Sequence, residues 1–181
     1  MISERSRPGA KRYVLFDVDG TLMDAADNQR LVWRTWAERY GLEDEDVRAG
    51  SYAAFDGASE LLNALEPGGW ALVTSNYEHR VRGRFARTGL PVPEVVVDAA
   101  AVADGKPSPV PYLQAAAQLG ADPGGCLVIE DAPSGVQSGL RAGMTVWGVN
   151  TPAAVDGVHR HFASLREAAP AILAFASGAP S

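Results

Sequence analysis

Five short apolar runs, Tyr13 to Phe16, Trp70 to Val73, Val95 to Val97, Leu127 to Ile129 and Thr145 to Val149, constrain the fold most. Between them lie segments of helical spacing, at about 58–66, 77–88, 109–119 and 134–142, with a last one near 165–174. Strands that alternate with helices imply a parallel sheet wound by right-handed crossovers. In such sheets ligands bind beyond the carboxyl ends of the strands, so the strand tips are the places to search for chemistry.

Those tips carry a consistent set of polar residues. The first strand ends in Asp17-Val18-Asp19-Gly20-Thr21, the second in Thr74-Ser75-Asn76 and the fourth in Glu130-Asp131, while the third is followed by "DGKPSP" with Lys106. The turns at the opposite ends, "EPGG" and "ADPGG", are turn formers without comparable chemistry. The expected fold is therefore α/β, a Rossmann-like parallel sheet flanked by helices. At 181 residues and 46% hydrophobic content the chain has the length of one domain with a sizeable core. Residues 1–11 and 176–181 read as flexible termini.

Bulk properties exclude some classes of function. A net charge of -6 with no basic stripe argues against tracking along nucleic acid. The opening "MISERSRPGAKR" is not followed by an apolar segment, and no apolar run reaches the roughly 18 residues of a membrane span. A single cysteine, Cys126, excludes an internal disulfide and reads as a buried thiol, so the expected location is cytoplasmic.

Asp17 and Asp19, two apart on an extended segment, point the same way. Glu130 and Asp131 at the same sheet edge make about four carboxylates, which cannot all stay ionised unless a cation joins them. Oxygen-only ligation favours Mg²⁺. A metal, a lysine and a hydroxyl at neighbouring tips suit a phosphoryl group. Lys106 would neutralise charge on carboxylate and phosphate, and Thr74 with the amides around Ser75 would hold phosphate oxygens. Asp17 then reads as a nucleophile forming an aspartyl phosphate, and Asp19 as the acid and base that serves the leaving oxygen and the attacking water.

The set "FDVDGTLMD", "LVTSN", "GKPSP" and "LVIEDAPSGVQSGLRAGM" resembles, in order and spacing, the four motifs of the haloacid dehalogenase superfamily, in its branch of phosphoglucomutase-like and sugar-phosphate phosphatases. The resemblance runs from Tyr13 to about Asn150. It implies Asp17 as nucleophile, Asp19 as general acid/base with its backbone carbonyl on Mg²⁺, Thr74 on phosphate, Lys106 as charge clamp and Asp131 as metal ligand, with Glu130 assisting in the metal shell. Ser75 and Asn76 fall in the substrate-binding tip. Because the dehalogenases of the superfamily lack the second aspartate, Asp19 favours phosphate-ester chemistry on a small phosphorylated metabolite.

The resemblance also implies a helical cap after the first motif, and here the chain departs from it. About 30 residues separate Asp24 from Phe55, room for one helix and a short second piece. The expected organisation is a core of 12–24 and 55–175 with a much shortened cap at 25–54. A short cap weakens the alternative of a phosphomutase, which must enclose an intermediate while it turns. A non-catalytic binding or assembly subunit is a third reading, against which the intact Asp17, Asp19, Lys106 and Asp131 argue.

Other features have plainer readings. Trp33, Trp36, Ala37 and Tyr40 form a helical stripe that suits core packing, a homodimer contact or substrate stacking. The run Glu43 to Asp46 reads as a solvated helix end, and Asp24 as an Asx turn or a residue ordering the loop. His79, His159 and His161 lack ligand spacing and read as structural or exposed. "DGKPSP" is no P-loop, having Ala100 where the upstream glycine belongs and Pro107 after the lysine. Carboxylates at i and i+2 also do not match a glycosidase, whose two acids approach from separate elements about 5 to 9 Å apart.

Overall fold

The structure is a computed structural model, and it describes residues 11–24 and 52–179. Its six-stranded parallel sheet has β1 (Tyr13–Phe16) at the centre, with β4 (Trp70–Val73) and β5 (Val95–Val97) on one side. On the other side lie β6 (Cys126–Glu130), β7 (Thr145–Gly148) and β8 (Arg160–His161). The helices are α1 (Ala58–Ala64), α2 (Glu78–Thr88), α3 (Val110–Leu119), α4 (Pro133–Arg141) and α5 (Leu165–Ala176). All five apolar runs became strands, and the five helical segments fall within a few residues of their expected bounds. The two-residue strand β8 carried no pattern long enough to be read in the sequence.

The strands β1, β4 and β5 are apolar along their whole length because both faces of the sheet are covered. Side chains alternate, so Val14 and Phe16 face one core with Leu61, Val81, Phe85, Leu165 and Ile172, from α1, α2 and α5. Tyr13 and Leu15 face the other, with Tyr112, Ala115 and Val136 from α3 and α4. Left-handed glycines end two helices, Gly89 after α2 and Gly120 after α3, each returning its amide to a carbonyl of the last turn. At the start of α5, Ser164 accepts from the Glu167 amide while the Glu167 carboxylate accepts from Ala163 N, close to a capping box.

A second, two-stranded antiparallel sheet pairs β2 (Met23–Asp24) with β3 (Ala53–Ala54). This ladder joins the two ends of the excursion between the first motif and the return to the core. The aromatic stripe of Trp33, Trp36, Ala37 and Tyr40, and the acidic run Glu43 to Asp46, lie outside the described residues. No helix among the described residues is long and apolar enough to cross a membrane.

Candidate active site

Because β1 is flanked by β4 on one side and β6 on the other, chain direction switches beside it, and its carboxyl end opens into the crevice where α/β sheets bind ligands. Asp17 leaves β1 with its amide still bonded to Ile129 O, which sets its side chain between the neighbouring tips. It is 8% exposed. Its Oδ1 accepts from Lys106 Nζ at 2.6 Å, while its Oδ2 is buried without a hydrogen-bond partner. A buried carboxylate oxygen left bare is uncommon and points to a ligand that completes it.

Lys106 sits between two carboxylates. Its ammonium donates to Asp17 Oδ1 and to Glu130 Oε1, both at 2.6 Å, and to Val73 O at 3.0 Å. Burial alone would lower its basicity, but the attraction of Asp17 and Glu130 outweighs that and holds it above the usual lysine range. The loop that carries it is stapled to α4, where Ser138 Oγ donates to Ser108 O at 2.5 Å and Arg141 Nη1 to Pro107 O at 3.0 Å. The lysine is therefore held from its own loop and from a neighbouring helix.

Glu130 is 1% exposed and both of its oxygens are engaged. Oε1 also accepts from Tyr112 OH at 2.8 Å, and Oε2 accepts from the amides of Asp131 (3.1 Å) and Ala132 (3.3 Å) at the entrance to α4. A side chain on Gly135 would not fit this approach, since its Cβ would lie 1.7 Å from Glu130 Oε1. Burial and the charges of Glu130 and Asp17 keep the Tyr112 phenol well above its usual pKa, so it remains the donor.

Asp17, Glu130 and Asp131 each offer an oxygen within 4.8 Å of the others. Burial first, then Glu130, raises the pKa of Asp17 well above the carboxylate range, and the same two causes lift Asp131 to about 6. Three clustered carboxylates face one lysine, so the group carries excess negative charge in a poorly solvated place. The bare oxygen of Asp17, the hard oxygen donors and the unbalanced charge fit a divalent cation such as Mg²⁺. Gly20 makes the cluster compact: its φ of +95° turns the chain, and a Cβ there would meet Asp131 Oδ2 at 2.0 Å.

The sequence suggested about four carboxylates at one edge, and three gather there among the described residues. Asp19 is turned away because other donors hold it: its Oδ1 accepts from Arg84 Nη1 at 2.5 Å and its Oδ2 from Asn76 Nδ2 at 2.9 Å. Thr74 is 5% exposed, and its hydroxyl accepts from the Asn76 amide at 3.0 Å, an arrangement that leaves the hydroxyl proton able to donate. Ser75 is exposed at the same tip.

Four residues of the site neighbourhood escaped the sequence reading. Arg84 and Tyr112 sit on the inward faces of helices, where an apolar residue is expected; a charge within the apolar stripe of α2 was the available signal. Asn150 follows β7 and donates to Gly20 O and Thr21 O, both at 2.9 Å, bracing the turn after Asp19. Tyr52 stacks on Arg84 at 3.9 Å. The histidines lie in ordinary surroundings: His79 stacks on Tyr77, His159 meets the Val146 backbone and His161 the Thr151 carbonyl.

Comparison with known proteins agrees with this geometry. A family model described as haloacid dehalogenase-like hydrolase matches residues 32–143. Hexitol phosphatase A of Escherichia coli (strain K12) is 39% identical over 179 residues, covering 77% of this chain and 83% of that one. Validoxylamine A 7'-phosphate phosphatase of Streptomyces hygroscopicus subsp. limoneus is 28% identical over 185 residues, 77% of this chain and 86% of that one. Among solved structures, a HAD family hydrolase of Deinococcus radiodurans R1, with bound phosphate and sodium, superposes with a TM-score of 0.74 at 26% identity, covering 96% of this chain and all of that one. With a model matching more than half of its length and a close relative aligned over most of both proteins, the chain belongs to the haloacid dehalogenase-like hydrolase family.

Proposed function

We propose that this protein is a Mg²⁺-dependent phosphatase that hydrolyses the phosphate monoester of a small sugar or polyol phosphate, or a bulkier phosphorylated metabolite, through an aspartyl phosphate. The observation that carries the proposal is Asp17, whose Oδ1 is clamped by Lys106 while its buried Oδ2 is left without a partner. That oxygen is the nucleophile. The phosphatase names of the two relatives support the reaction class.

In the first step Asp17 Oδ2 bonds to phosphorus as the phosphorus–oxygen bond to the leaving group breaks, and Asp19 gives its proton to the departing oxygen. In the second step Asp19, now a carboxylate, takes a proton from water as the water oxygen bonds to phosphorus; inorganic phosphate leaves and Asp17 is restored. Lys106 balances charge on Asp17 and on the phosphoryl group, and the Thr74 hydroxyl with the amides at Ser75 and Asn76 holds phosphate oxygens. Asp17, Asp131 and the backbone carbonyl of Asp19 would hold Mg²⁺, with Glu130 bordering them, and the ion would offset the charge that builds on the phosphoryl oxygens.

Residues 12–24 and 55–175 form the catalytic core of this reading, and 25–54 a reduced cap. The hexitol phosphatase alignment, 179 positions long over only 77% of this chain, accords with a segment shorter than in that relative. The residual cap is where a homodimer contact would form, and a monomer in sedimentation at high protein concentration would rule that contact out. A cytoplasmic location accords with the single cysteine.

The test is hydrolysis of p-nitrophenyl phosphate and of a panel of sugar and polyol phosphates with Mg²⁺. Turnover that is abolished by EDTA and by Asp17→Asn supports the proposal. Absence of turnover in folded, Mg²⁺-loaded protein would favour a binding subunit, and phosphate moved to a new position of the substrate would favour a mutase.

A further inference from the structure

Resting on the phosphatase reading, we propose that Arg84 is a positioning residue that holds the Asp19 carboxyl where it can exchange a proton with the leaving oxygen. α2 turns Val81, Arg84 and Phe85 inward, and Val81 and Phe85 are fully buried in the core. An arginine in that stripe, 7% exposed, is costly to bury unless a partner repays the lost hydration. Among the described residues its one ion pair is with Asp19.

Three elements meet on this pair. Arg84 Nη1 donates to Asp19 Oδ1 at 2.5 Å from α2, and Asn76 Nδ2 donates to Oδ2 at 2.9 Å from the tip of β4. Two donors on the two oxygens fix the plane of the carboxylate as well as its place. The guanidinium is fixed in turn by the Tyr52 ring, 3.9 Å away at the entrance to β3. Tyr52 stands where the chain returns from the shortened excursion, so the ladder of β2 and β3 secures the residue that steadies Arg84.

The arrangement has a chemical purpose beyond holding the fold. Asp19 sits on a turn before Gly20, its side chain 21% exposed, and without donors it would sample several rotamers. Proton transfer needs the carboxyl within hydrogen-bond reach of the departing oxygen, and a misplacement of about 1 Å costs on the order of 100-fold in rate. Asn76 alone leaves the carboxylate free to swing about a single contact. Arg84 removes that freedom.

The substrate decides whether this matters. An alkyl phosphate expels a poor leaving oxygen that needs the proton, whereas p-nitrophenolate leaves without one. In Arg84→Gln, which keeps a long side chain and removes the charge, kcat/KM, which covers the steps through loss of the leaving group, falls by about 10- to 100-fold for a hexitol or glycerol phosphate and changes by less than about threefold for p-nitrophenyl phosphate, while kcat falls on both wherever the shared second step limits turnover. Arg84→Lys recovers part of the alkyl-phosphate loss, and Tyr52→Leu, which leaves α2 untouched, shows a smaller loss of the same kind and carries the test if Arg84→Gln does not fold. Equal losses of kcat/KM on both substrates would assign Arg84 a structural role, and an unchanged or higher kcat/KM for the alkyl phosphate would overturn the inference as well. Wild-type protein that hydrolyses neither substrate would instead overturn the phosphatase reading, and the inference with it.

Discussion

Replacing Lys106 by Met removes the cation that, among the described residues, pairs with Asp17 and Glu130, while keeping most of the side chain's volume. The lysine side chain is 5% exposed, and its ammonium is shared at 2.6 Å by Asp17 and by Glu130, the latter 1% exposed. Breaking a buried ion pair by deleting one partner costs about 3–5 kcal/mol, or about 6–20 °C in Tm for a domain of this size. The carboxylates can relieve the loss by taking up protons. Asp17 already has a folded pKa above its unfolded value, so the folded state binds more protons and its stability falls as pH rises from the ordinary carboxylate range. Lys106 lies on the opposite side: its folded pKa is raised, so its contribution is complete below the ordinary lysine range and is lost only at more alkaline pH. The variant therefore loses more at about pH 8 than at about pH 5, where protonation of Asp17 stands in for the missing cation. Urea denaturation followed by tryptophan fluorescence, in metal-free buffer with EDTA, measures the difference. A loss below about 1 kcal/mol, or an equal loss at both pH values, would refute the account of the lysine as the balancing charge.

Gly20→Ala places a Cβ 2.0 Å from Asp131 Oδ2 at a φ of +95°, so it lowers stability by about 1–3 kcal/mol and weakens Mg²⁺ binding; titration calorimetry reads the second effect. Tyr112→Phe deletes a 2.8 Å bond to a buried carboxylate and destabilises by about 1.5–3 kcal/mol in urea, with Lys106 still in place. Mg²⁺ raises Tm more at about pH 8 than at about pH 5, because Asp131, lifted to about 6, must give up its proton to bind the ion. Without metal the same group stabilises the fold below its unfolded pKa and loses that contribution as pH rises through about 6. A metal-induced shift independent of pH would remove Asp131 from the ligand set.

Most of the fold could be read from spacing. Five apolar runs separated by helix-length segments leave few alternatives to a wound parallel sheet, because the strand and helix periods are properties of a few consecutive residues. The site was readable for a related reason: ligands of such sheets sit at strand tips, so Asp17, Lys106, Glu130 and Asp131 were candidates before their contacts were known. The short strand β8 was beyond reach, since Arg160–His161 offers two residues and no alternation. The pairing of Met23–Asp24 with Ala53–Ala54 joins segments with a long excursion between them, and local pattern does not encode such a closure.

By itself the sequence determined five of the six strands of the sheet and which tips carry acids and a lysine. Tertiary structure decided how those groups divide the work. It placed Glu130 under Lys106 and Tyr112, left one oxygen of Asp17 bare, and drew Asp19 from the other acids to an arginine 65 residues away. The physical reason is range. Backbone preference and side-chain periodicity act over a turn or a strand, whereas the partner that a buried charge finds depends on which elements the sheet order sets side by side, and that order emerges only when the two cores have closed around it.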